Sequence, residues 1–272
     1  MPNNHLQKQV LGFLSTPPLW KRSQFSIEQF ELPEINVSDL TPRPIPQNIR
    51  LGHQMEHIFK QVLNHTARYQ VLVHNIPVKK ENRTIGEIDF ILKDLQSSKN
   101  IHVELTYKFY IIDPEISEPV HQLMGPNKRD MFFTKMEKMK NHQFPLLHSH
   151  EGAQALRELN IVPHDIQHQT CFKAQLFKRY GSVNHHIRPL NKACICGFWL
   201  RFDTFNSTAF QSYRFYIPYK SEWVIAPHEE VPWMSHFDTL MELNIRMLKE
   251  NAPMVWMKKK NATLEKFFVV WW

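Results

Sequence analysis

The chain has 272 residues, 42% of them hydrophobic and 22% charged, enough to bury a core without disulfide or metal staples. Seven scattered glycines exclude a Gly-rich dinucleotide fingerprint or phosphate loop, and the longest apolar run, residues 267–272, falls far short of a membrane span. A net charge of +7 suits a polyanionic partner; three cysteines, which cannot all pair, and an N-terminus without a secretory pattern lead us to expect a reducing, cytoplasmic setting.

The first twenty residues read as a short helix, with Leu6, Val10, Leu11 and Leu14 at helical spacing, closed by Pro17-Pro18. Residues 21–48 are proline-rich and aperiodic and read as an ordered arm. Leu51, Met55, Ile58, Phe59, Val62 and Leu63 form an apolar stripe that predicts a helix over 49–64. A strand over 69–78 follows. GEIDFILKD (86–94) and NIHVELTYKFYII (100–112) then alternate like neighbouring strands joined through Gln96-Ser97-Ser98. Asn127, with Asp130 three residues on, is expected to cap a helix running to about 143. A short helix near 151–159 precedes a β-rich remainder. CFKAQLFKRY (171–180), ACICGFWLRF (193–202), SYRFYIPY (212–219) and EWVIAP (222–227) read as strands. A helix bearing Phe237, Leu240, Met241, Leu243, Ile245 and Leu248 comes next, and MVWMK and KFFVVWW close the chain as strands. The pattern divides into an N-terminal helix and arm (1–48), an α/β core (49–150) and a β-rich C-terminal region (151–272) completing or extending that core, with a soft boundary near 148–165.

Candidate functional residues fall on these elements. Alternation in strand 100–112 puts His102, Glu104, Thr106, Lys108 and Tyr110 on one face and Ile101, Val103, Leu105, Tyr107, Phe109 and Ile111 on the other. In the preceding strand Glu87 and Asp89 share a face with Ile91, and acids amid Ile, Phe and Leu need a partner or a purpose. Glu56 lies roughly 100° from the centre of its helix's apolar stripe, at the border where that helix meets the sheet. In the helix after the strands, Met131, Phe132, Met136 and Met139 set the inward stripe. Lys135 and Gln143 fall within it, while Lys128 and Lys140 point elsewhere.

The order is a helix with Glu56, a strand with Asp89, a strand with Glu104 and Lys108, and a helix with Lys135 and Gln143. It resembles the core of the PD-(D/E)XK nuclease superfamily, in which an acid, then an acid and a lysine on adjacent strands, bind metal at the scissile phosphate. RTIGEIDFILKD, IHVELTYKFY and GPNKRD are more similar still to an uncharacterised bacterial family, a conserved domain of unknown function assigned to that superfamily by resemblance. The resemblance is clearest over residues 50–145. It implies an α/β fold of restriction-endonuclease-like type, a mixed sheet flanked by helices, with an appended β-rich α+β C-terminal region. It also implies a Mg2+- or Mn2+-dependent nuclease acting on nucleic acid, DNA before RNA, while the short apolar runs predict no membrane association. Asp89 and Glu104 would bind the metal, Glu56 would support the metal or a water, and Glu87, Thr106 and Gln143 would be supporting groups. One or two carboxylates, waters and phosphate oxygens are what Mg2+ takes.

The superfamily's lysine stands two residues after the second acid, where this chain has Thr106. Lys108 stands on the same face but with its Cα roughly 13 Å from that of Glu104. Lys135 approaches from the next helix, and both lysines remain candidates for the catalytic role. The displaced lysine leaves an alternative open: a catalytically inactive nuclease fold acting as a nucleic-acid-binding or interaction module. Among sixteen histidines, His164 and His168 have helical spacing, His148 and His150 alternate, and His185 and His186 precede Cys194 and Cys196. The two cysteines read as small residues of an apolar strand rather than as zinc ligands.

Overall fold

The computed structural model describes residues 2–183 and 186–272, the side chains of residues 2–4 and 38 excepted. In chain order the elements are α1 (Pro2–Ser15), β1 (Ser23–Gln24), β2 (Ile27–Gln29), α2 (Leu51–His65), β3 (Tyr69–Lys80), β4 (Arg83–Asp94), β5 (Asn100–Ile112), α3 (Pro119–Gln122), β6 (Leu123–Met124), α4 (Phe132–Lys138), α5 (Phe144–Leu146), α6 (His150–Arg157), β7 (Gln167–Arg179), β8 (Ile195–Arg201), α7 (Phe202–Phe205), β9 (Arg214–Tyr216), α8 (His236–Leu248), β10 (Met254–Lys258) and β11 (Leu264–Val270). The protein is mixed α/β. Its chain forms two compact units, neither of them a single stretch of sequence. The first takes the residues through Gln7, Pro18–Tyr107 and Thr134–Lys173; the second takes Lys8–Pro17, Lys108–Phe133 and Ala174–Trp272.

In the first unit β3, β4, the residues of β5 through Tyr107 and those of β7 through Lys173 are neighbours in that order. The β3–β4 and β4–β5 pairs are antiparallel, and β2 runs parallel to β7. All six stripe residues of α2 are buried, and Phe59 stands edge-on to Phe90 of β4 at 5.0 Å and to Phe30 at 5.8 Å. Each such side chain, fully buried, contributes about 1.5–3 kcal/mol. A second cluster joins Val78, Ile88 and Ile91 to Leu147, Leu156, Ile161 and Ile166. It anchors α6, which Ser149 caps by accepting the Gly152 N–H at 3.0 Å.

In the second unit the neighbours are the residues of β7 from Ala174 on, β8, β11, β10 and β9. β8 pairs parallel with both β7 and β11, while the β11–β10 and β10–β9 pairs are antiparallel. Phe205, Phe210, Phe215, Leu243, Val255, Phe267 and Val269 form its core.

The structure corrects several expectations. Asn127 does not cap a helix: α4 starts at Phe132, and the Asn127 Oδ1 accepts the Ala252 N–H at 2.8 Å instead. The strand expected over 212–219 shrinks to Arg214–Tyr216, and 222–227 contains no strand. Cys194 is buried at the end of a 3-10 turn and Cys196, on β8, is exposed, so they are not two buried residues of one strand. His164 and His168 do not share a helix; His168 is on β7. His185 lies outside the described residues. Of the apolar residues that mark α8 in the sequence, Leu243 is buried but Phe237, Met241, Ile245 and Leu248 are exposed, and His236 and Thr239 are buried with Leu243. Among the described residues no helix is long and apolar enough to cross a membrane.

Candidate active site

β4 and β5 pair as far as Phe90 opposite Val103, and the ladder stops there. The next pair in that register is Asp89 and Glu104. The Leu105 N–H donates to the Asp89 Oδ2 at 2.9 Å, so a carboxylate takes a backbone donor where the strands part. Because directly opposed residues point to the same face, both acids are delivered to one place. Glu104 is 1% exposed.

Both oxygens of Glu104 are engaged. Its Oε2 accepts from the Gln143 Nε2, and the Gln143 Oε1 accepts from the Lys135 Nζ at 2.7 Å. Local helix geometry makes this link. Eight residues of regular α-helix would leave Lys135 and Gln143 about 80° apart. Residues Met139–Gln143 instead form a π turn, which uses more residues per turn and brings Gln143 back over Lys135.

Glu56, from α2, is also mostly enclosed, its side chain 15% exposed. Its Oε2 accepts from the Asn75 Nδ2 at 2.8 Å and lies 3.1 Å from the His53 Nδ1. The Asn75 Oδ1 and the Thr106 Oγ1 are buried without a hydrogen-bond partner among the described residues.

The charges sense one another. Burial pushes the Asp89 carboxyl well above its usual range, the Glu104 charge pushes it further, and the Leu105 N–H and Lys135 pull against them. Burial raises Glu104 to about 7, with Lys135 opposing and Glu87 and Glu56 adding to the rise. Glu87 is raised by burial and then by Glu56. Glu56, Glu87, Asp89, Glu104 and Lys135 therefore form one electrostatic group, and its acids resist being ionised together.

A chain of histidines leads away from Glu104. The Glu104 Oε1 lies 2.9 Å from the His102 Nε2, and the His102 Nδ1 lies 2.9 Å from the His168 Nδ1. The His168 Nε2 in turn lies 2.8 Å from the His148 Nε2. Phe144 packs against both His102 and His168. Burial lowers His102 to about 3, with His148 adding, and lowers His168 to about 4, with His102 and His148 adding. Neutral imidazoles satisfy this chain in either polarity. A protonated Glu104 donates to His102, which donates to His168, which donates to His148. An ionised Glu104 accepts from His102, and every donor and acceptor reverses. The links use opposite nitrogens of His168, so the three rings do not converge on a common point as zinc ligands would.

The donor set fits a hard divalent cation. Its donors are carboxylate oxygens, the two central carboxylates both sense Lys135 yet are held above their ordinary range, and a divalent ion reverses their mutual repulsion. Among the described residues no group of three or more His, Cys, Asp or Glu side chains is arranged as a metal cage. Mg2+, which is bound by one or two carboxylates and keeps several waters, needs none.

The structure thus brings Asp89, Glu104, Glu56, Glu87, Lys135 and Gln143 together in the first unit. Thr106 is buried two residues beyond Glu104. Lys108 belongs to the second unit, where its Nζ donates to the Asp130 Oδ2 at 2.5 Å. Sequence reasoning gave His102, His148 and His168 no role at Glu104. The available signal was His102, two residues before Glu104 on one strand face.

The model of a protein family described as a domain of unknown function (DUF1853) matches residues 14–270. No curated protein and no solved structure matches the chain.

Proposed function

The chain belongs to the DUF1853 family, whose description assigns no activity, and we propose that it is a metal-dependent nuclease hydrolysing phosphodiester bonds, DNA before RNA, on a restriction-endonuclease-like core. The observation that carries this reading is the buried Asp89–Glu104 pair where β4 and β5 part, with Lys135 delivered to Glu104 through Gln143.

On this reading Asp89 and Glu104 hold Mg2+ or Mn2+, with Glu56 beside them. The bound metal supplies an activated water and charge neutralisation at the phosphate. Lys135 places its ammonium beside the carboxylates, where it stabilises negative charge developing on the phosphate oxygens. Gln143 is a positioning residue, orienting both Lys135 and the Glu104 carboxylate, and His102 holds the other oxygen of Glu104. The net charge of +7 favours approach of a polyanion.

The test is a cleavage assay with highly purified wild type, Asp89→Ala and Glu104→Ala. Plasmid, linear, single-stranded and branched DNA and RNA are each incubated with Mg2+, Mn2+ or chelator. Metal-dependent cutting lost in both variants is expected; cutting by Asp89→Ala at the wild-type rate overturns the reading. One observation favours a second reading, a non-cleaving nucleic-acid-binding protein: Thr106 occupies the position of the superfamily's lysine, and Lys108 is tied to Asp130. That reading expects binding without turnover, with log K falling linearly against log salt.

A further inference from the structure

The second unit carries a cleft of about 620 Å3, which nothing in the nuclease reading uses. Its volume is that of a pocket for a small molecule. Lys266 of β11, Gln175 and Lys178 of β7, and Cys196 of β8 line it, among walls that include Ile195 and Val224.

Lys266 is the unusual member. It is 7% exposed, and its Nζ donates to the Gln175 Oε1 at 2.6 Å. The Cys196 Sγ lies 3.7 Å from that same oxygen. Both neighbours are neutral groups. The carboxylate that lines the cleft, Glu265, is taken by Lys259 at 2.6 Å. Burial pulls the Lys266 amine below its ordinary pKa, and the charge of the Cys196 thiolate form acts against this. A buried ammonium without an anion is costly by several kcal/mol, and an oxyanion in the cleft would remove that cost. Lys178 adds a second amine to the lining.

We propose that this cleft binds a small molecule bearing a phosphate or carboxylate group, with Lys266 as its counter-charge and the Gln175 amide as a polar neighbour. Apolar walls and a buried amine suit a compact ligand better than the continuous backbone of a nucleic acid, which is tracked by exposed cations.

The test uses the full chain, as wild type and Lys266→Met. Methionine has a similar reach without the charge, and replacing a buried unpaired cation by an apolar side chain is neutral or stabilising, so the variant is expected to melt at or above the wild-type temperature without additives. Inorganic phosphate, pyrophosphate and citrate are the probes, against chloride at equal ionic strength. Thermal melting is one readout. The other is labelling of exposed Cys196 by a small thiol reagent, located by peptide mass spectrometry, with buried Cys171, which lies outside the cleft lining, as the internal reference. At least one probe is expected to raise the wild-type melting temperature saturably. It should also slow Cys196 labelling about tenfold at ten times its Kd, while Lys266→Met responds in neither assay. The proposal is overturned if no probe acts beyond chloride, if Lys266→Met responds as wild type does, or if a single-stranded oligonucleotide protects Cys196 and the small anions do not.

Discussion

Glu104→Gln isolates the electrostatic cost of the site. The amide keeps the shape of the side chain. Its nitrogen donates to a neutral His102 as a protonated carboxyl would, and its oxygen still accepts from Gln143. Glu104 has a pKa of about 7 in the fold against an ordinary 4.5. A raised carboxyl pKa means that the folded state binds the proton more tightly, so stability is fully present below pH 4.5 and is lost as pH rises through 7. The loss for this group is about 1 kcal/mol at pH 5 and about 3 kcal/mol at pH 8. Removing the Glu104 charge also relieves Asp89, which adds in the same direction. Metal-free Glu104→Gln is therefore expected to be more stable than wild type by at least about 3 kcal/mol at pH 8, an increase in Tm of about 6 °C or more, and by much less at pH 5. Calorimetric melts in chelator at the two pH values measure this. Addition of Mn2+ should then favour wild type, by about 3 kcal/mol at a hundred times its Kd, with little change in the variant. A variant no more stable than wild type at pH 8, or a difference that does not grow with pH, refutes the reasoning.

Other expectations follow from the same geometry. If Lys135 is the lysine at the reacting phosphate, Lys135→Met lowers kcat by about 10²–10³ in steady-state cleavage. Lys108→Met leaves kcat unchanged and costs at most about 1 kcal/mol in urea melts, because the Lys108–Asp130 pair is partly exposed; the opposite ranking would reassign the role. In an Asp89→Asn/Glu104→Gln background, which removes the two buried carboxyls whose raised pKa values act with the opposite sign, stability should fall as pH drops from about 6.5 towards 4. His102 and His168 bind their protons only on unfolding, so stability rises with pH across that window. His102 accounts for about 2 kcal/mol by pH 5, and the more solvated His168 for less; a flat acid limb in urea melts counts against neutral histidines in this chain. Gly12→Ala in α1 should destabilise by about 1–2 kcal/mol despite better helix propensity. Its Cβ would stand 2.2 Å from the Val224 carbonyl oxygen, which is backbone; a thermal melt at or above wild type would show that the helix shifts freely.

What the sequence decided is what depends on near neighbours. Strand alternation put Glu104 on one face of residues 100–112 and Asp89 beside Glu87 on the strand before. Helical spacing marked the six core residues of α2 and aimed Lys135 inward, because side-chain direction within a helix or strand follows from its own period. The family resemblance named the chemistry to expect from that pattern.

Tertiary structure decided the rest. Asn127 has the right neighbours for a cap but is claimed by Ala252, 125 residues away. The apolar residues of α8 have helical spacing, yet periodicity alone does not say which face meets a neighbour, and packing buries Leu243 with His236 and Thr239 while Phe237, Met241, Ile245 and Leu248 stay exposed. The Lys135–Gln143 link depends on a π turn that shifts the phase of the helix after Lys138. The histidine chain joins residues 102, 148 and 168, which carry no shared local pattern. The sequence supplied each acid, lysine and histidine with a direction. Their convergence, and with it the high pKa of Glu104, arises only when separate elements pack together and exclude water, since burial and mutual repulsion are properties of the assembled fold.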